Sequence, residues 1–154
     1  KNTVNLMKEL LSTPSYDSFH EANAAYFINF NHYFQQLLKQ KKLKKSHVID
    51  QSMINPKYAY QIFSGKRTLT RDKAIMLAFG AGLDLEETQV FLKYASHLPL
   101  YPKVKRDALI IVALNQRMTV MDANDYLYQY KEALLEWSAS SLSAEIQPIS
   151  CVRG

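Results

Sequence analysis

Apolar positions along this chain recur every three or four residues, the spacing of helices that bury one side. Val4, Met7, Leu10 and Leu11 share one side of a short helix that stops before Ser12-Thr13-Pro14-Ser15, and that side is expected to dock on the main domain or on a partner. A helical run over about 17–26 leads into Phe30, Phe34, Leu37 and Leu38 of a longer helix. Two short amphipathic segments follow, one marked by Val48, Ile49 and Ser52 and the other by Ala59, Ile62 and Phe63. Between them stands Asn55-Pro56, where asparagine caps a new helix and proline takes a first-turn position whose amide has no intrahelical partner. Helices this short are unstable alone, because nucleation costs more than so few backbone bonds return, so both must pack on others.

Thr70 then caps a helix with Ala74, Ile75, Ala78 and Phe79 inward, closed by cap and turn glycines in Gly80-Ala81-Gly82. Asp84-Leu85-Glu86-Glu87 is a capping-box pattern that opens a helix burying Thr88, Phe91, Leu92 and Ala95. Pro99 and Pro102 break the chain and mark the best candidate boundary. Beyond them, Val104, Ala108, Ile111 and Val112 define the inward side of one helix, and Thr119 caps another with Ala123, Leu127, Tyr130 and Leu134 inward. The short joint over 115–118 sets these two antiparallel. From about Ser138 the helical period is lost, and a tail that is loosely ordered or held by another chain is expected.

Composition narrows the class. Four glycines and five prolines in 154 residues leave room for helices and few hairpins, and 47% hydrophobic content excludes wholesale disorder. An all-α fold is expected, with an N-terminal helical arm (1–28), a central domain (29–98), a C-terminal helical hairpin (99–137) and a flexible tail (138–154). The net charge is +5, but residues 39–106 hold fourteen Lys or Arg against five acids, and both flanks are net acidic. A basic middle of this kind is the electrostatic footprint of a polyanion site, and an ordinary solvated surface can resemble it.

Candidate chemistry is sparse. The lone Cys151 cannot form an internal disulfide, which fits a reducing compartment, and the longest apolar run, Ala108 to Leu114, falls far short of the ~20 residues needed to span a bilayer. No signal peptide is visible, so a cytoplasmic protein with no membrane contact is expected. His20, His32, His47 and His97 lie in separate segments without helical metal spacing, and no serine sits in a nucleophile elbow. The glycines of Gly80-Ala81-Gly82 follow no strand and make no dinucleotide loop. Neither a cofactor, a metal nor an enzymatic activity is expected.

The stretch KSHVIDQSMINPKYAYQIFSGKR, from Lys45 to Arg67, joins the two short helices across a tight polar break and resembles the helix-turn-helix of the XRE family, the Cro and lambda-repressor type. The resemblance covers roughly residues 29–98 and is carried by Phe34, Leu37, Leu38, Val48-Ile49 and, above all, the run from Tyr58 to Gly65-Lys66-Arg67. Three positions depart from the family: Ile49 replaces a small residue, Met53 a turn glycine and Phe63 an acidic residue. The resemblance implies a lambda-repressor-like domain flanked by the N-terminal helix and the C-terminal hairpin. It implies a bacterial or phage transcription regulator that binds double-stranded DNA as a homodimer, paired through the hairpin. The helix from Pro56 to Phe63 would enter the major groove, with Lys57, Tyr58 and Gln61 outward. Lys45, Ser46, Lys66, Arg67 and Arg71 would hold the phosphate backbone. The alternative is a protein-interaction module or inhibitor on the same fold, with duplex recognition lost and the basic middle holding an acidic protein partner.

Overall fold

In a computed structural model of the protein, residues 3–23 and 30–136 are described, and the described residues form nine helices and no strand. The expected tail and Cys151 lie outside the described residues. The helices are α1 (Thr3–Ser12), α2 (Tyr16–Asn23), α3 (Phe30–Lys41), α4 (Lys45–Ser52), α5 (Pro56–Phe63), α6 (Arg71–Gly80), α7 (Leu85–Tyr94), α8 (Lys105–Asn115) and α9 (Val120–Gln129). None is long and apolar enough to cross a membrane.

The helix ends follow their local chemistry. The Asn55 side chain accepts from the Lys57 and Tyr58 amides with Pro56 in the first turn, Thr70 caps α6, Thr119 caps α9, and Asp84 and Glu87 complete a capping box on α7. Lys44 precedes α4 without a side-chain cap, and α4 ends at Met53 in the left-handed region, φ 66°, where a glycine would carry no Cβ penalty.

Helix α6 is the hub. Lys73, Ala74, Ile75, Met76, Leu77 and Ala78 are all buried, more than the one stripe its sequence suggests, because α4, α7 and α9 pack around it. Gly80 is not a turn residue: it closes α6 where the helix meets α4, and a Cβ there would stand 2.4 Å from the Val48 carbonyl oxygen and 2.9 Å from the Ser52 nitrogen. The turn conformation falls to Gly82, at φ +67°. Ile49 and Phe34 are fully buried, and Phe34 stacks on Phe63 with ring centres 5.0 Å apart.

The C-terminal hairpin packs on the central domain, and each of its two helices departs from expectation. The proline pair does not divide the core: one buried cluster runs from Phe34 to Leu135, and Leu100 is strapped to α7 by Gln89, whose side chain bonds both its N–H (2.7 Å) and its C=O (2.8 Å). Helix α8 is turned nearly half a revolution from the expected face, burying Asp107, Leu109, Ile110, Ala113 and Leu114 while Val104 stays 47% exposed. Helix α9 stops at Gln129, so Tyr130 and Leu134 are exposed and Leu135 is buried in their place. Asn124 holds Leu135 by both backbone groups, and Arg106 bonds the Ala133 and Leu134 carbonyls, which turns the chain inward there. At the other end, Val4, Met7, Leu10 and Leu11 of α1 are all exposed.

Candidate functional site

The two eight-residue helices α4 and α5 are separated by residues 53–55; α4 packs on α6, α5 packs on α4, and each buries its apolar side. Buried Val48, Ile49, Ala59 and Ile62 leave Ser46, Lys57 and Tyr60 exposed. Asn31 of α3 donates to the Phe63 carbonyl at 2.7 Å, satisfying an acceptor at the C-terminal end of α5.

The eight expected site residues divide into three groups. Ser46, Lys57 and Lys66 are exposed. Lys45, Tyr58, Gln61 and Arg67 make contacts within the site: the Lys45 ammonium lies 4.8 Å from the centre of the Phe63 ring, the Arg67 guanidinium 4.8 Å from that of Tyr58, and Arg67 Nε donates to Gln61 Oε1 at 2.7 Å. Arg71 belongs elsewhere. Its Nη1 and Nη2 grip Asp107 at 3.1 and 2.9 Å, while Nε and Nη2 bond the Leu98 and Pro99 carbonyls. That guanidinium is consumed in joining α6 to α8, and a phosphate would have to break a bidentate pair to reach it.

Lys73 was not expected to take part. It is 4% exposed, with its ammonium 4.7 Å from the Tyr58 ring centre and 3.1 Å from Glu136 Oε1. Sequence carries no signal for this contact, since the partners lie far apart in the chain.

Charge in three dimensions differs from charge along the chain. Among the described residues, five of the fourteen cations between 39 and 106 are ion-paired: Lys41 with Glu87, Arg71 with Asp107, Lys73 with Glu136, Lys105 with Glu132 and Arg106 with Asp72. Three of those acids come from the acidic C-terminal flank, which folds back on the basic middle. Lys39, Lys42, Lys44, Lys57, Lys66 and Arg67 stay exposed around the start of α4 and the two ends of α5, with Lys45 half-buried among them.

The carboxylate of Asp107 has a displaced titration. Burial pushes it up, but hydrogen bonds from Arg71 and the Tyr101 N–H, with the charges of Arg71 and Arg106, hold it below its ordinary value. Its role is structural, at the α6–α8 contact.

A cleft of about 560 Å³ opens between the start of α3, the loop after α5 and the end of α7. Phe30, Ile62, Arg67, Leu69, Tyr94 and His97 help to line it, His97 bonding the Leu69 carbonyl at 2.7 Å, and among the described residues no carboxylate or thiol is in its walls. Among the described residues, no group of three or more His, Cys, Asp or Glu is placed to hold a metal ion. No protein-family model, no curated protein and no solved structure matches the chain.

Proposed function

We propose that the chain is a DNA-binding transcription regulator of the XRE helix-turn-helix type, with α4 and α5 as the helix pair and α5 as the helix that enters the major groove. One observation carries this reading: of the nine cations between 39 and 106 with no carboxylate partner among the described residues, seven lie around the end of α3, the start of α4 and the two ends of α5, and only Lys93 and Lys103 stand elsewhere. Neighbouring cations are neutralised by acids of the same fold. The α4 N-terminus, with Lys45 and Ser46, would take one phosphate, Lys57 and Lys66 would flank the groove, and Arg67 would lie against α5 between them. A second copy paired through the C-terminal hairpin would set two such helices on successive turns of the duplex.

Selection of bound fragments from genomic DNA at ~0.1 M salt tests the proposal. An enriched sequence, with affinity falling steeply as salt rises, is expected; no enrichment would sink it.

A second reading, a protein-interaction module that has lost duplex recognition, is favoured by the exposed apolar side of α1 and by aromatic Phe63 where the family has an acid. Purification from the native host separates the two. A stoichiometric acidic partner supports the second, and a homodimer without one supports the first.

A further inference from the structure

Arg67 is held more firmly than a surface cation needs to be. The Lys66 and Arg67 amides both donate to the Gln61 carbonyl, at 2.8 and 3.1 Å, and Gly65 at φ +87° allows the reversal that sends residue 67 back along α5. The side chain then lies against two residues one turn apart on that helix. Its plane meets Tyr58, and its Nε donates to Gln61 Oε1. Arg67 is exposed, and among the described residues its Nη1 and Nη2 have no hydrogen-bond partner, so an oriented fork of donors is left for a ligand beside Tyr58 and Gln61 of α5.

This arrangement exchanges the roles that residue type alone suggests. To pair with adenine, Gln61 must accept from N6 and donate to N7 at once, yet its oxygen already holds a charge-assisted bond, roughly twice as strong as a neutral one. We infer that Arg67, rather than Gln61, is the side chain that reads sequence, taking the O6 and N7 edge of a guanine, with Gln61 and Tyr58 as positioning residues. The inference rests on the DNA-binding reading above. Guanine is preferred over phosphate because the guanidinium lies against Tyr58 and Gln61, on the middle of α5, and not on a flank.

The test is selection from a random duplex library with the full chain and three variants. The wild type should prefer guanine at one position of each half-site by ~5- to 150-fold. Arg67→Lys keeps the charge but loses the fork, so the preference should collapse while the salt dependence stays close to that of the wild type. Gln61→Ala should weaken the same guanine preference without relaxing any adenine position, and Gln61→Glu, which restores an acceptor for Nε, should recover it. Unchanged base choice in Arg67→Lys overturns the inference alone and makes Arg67 a phosphate contact. An adenine position lost in Gln61→Ala returns base reading to Gln61. No enriched sequence for the wild type overturns the DNA-binding reading and this inference with it.

Discussion

At Gly80 two effects on stability oppose each other. Glycine in a helix costs about 1 kcal/mol relative to alanine, so propensity alone favours Gly80→Ala. The added Cβ, however, would meet two backbone atoms of α4 at 2.4 and 2.9 Å, and backbone cannot swing aside as a side chain can. Overpacking of this kind costs about 1–3 kcal/mol, and with two contacts the upper part of that range applies. Gly80→Ala is therefore expected to lower the unfolding free energy by roughly 1–2 kcal/mol in urea titration, and a gain would show that α4 and α6 do not approach so closely. Asn55 is the simpler case. Its side chain caps two amides of α5, so Asn55→Ala should cost about 1 kcal/mol by the same measurement, with no change in the other helices. The cap was legible in the sequence because it is made between neighbours. The role of Gly80 was not, since its reason lies in α4, near thirty positions earlier in the chain.

At the scale of elements, α8 shows why period alone can mislead. The run Ala108-Leu109-Ile110-Ile111-Val112-Ala113-Leu114 is apolar on every side, so hydrophobic spacing allows several faces to be buried. Two charged residues break the tie. Arg106 forks onto Asp72 with both contacts at 3.0 Å, and Asp107 receives Arg71, which locks α8 to the first turn of α6 in one rotation. The Asp107 pair also sets a pH dependence. Its folded pKa is lowered, so its contribution is fully present above the unfolded value of about 4 and is lost as pH falls from there through the folded value. Asp107→Asn is expected to cost on the order of 3 kcal/mol at neutral pH, since it leaves a mostly buried guanidinium facing an amide. The gap between variant and wild type should narrow on acidification below pH ~4, and a gap independent of pH would remove Asp107 from this account. By contrast, the starts of α5 and α7 were legible, because an asparagine–proline start and a complete capping box are made between neighbours in the chain.

Over the whole molecule, the basic surface is smaller than the linear count suggests, because Asp107, Glu132 and Glu136 fold back on the middle of the chain. That gives the proposed DNA contact a specific charge signature. Lys45→Ala should weaken binding to all duplexes and lower the slope of log affinity against log salt by about 0.9, one phosphate contact. Arg71→Ala should leave the slope unchanged and lower the melting temperature instead, because its guanidinium serves Asp107. Equal slope losses in the two variants would mean that Arg71 leaves its carboxylate to meet the duplex.

The sequence by itself determined the all-helical class, the caps, the break at Asn55-Pro56 and the inward sides of α4, α5 and α7, because each depends on residues within a turn or two of one another. Tertiary structure alone decided which face of α8 is buried, how tightly α6 meets α4, where α9 ends and which cations remain for a ligand. Those outcomes depend on groups distant in the chain, and a carboxylate or a backbone carbonyl acts on a guanidinium only once folding has brought them within a few ångströms.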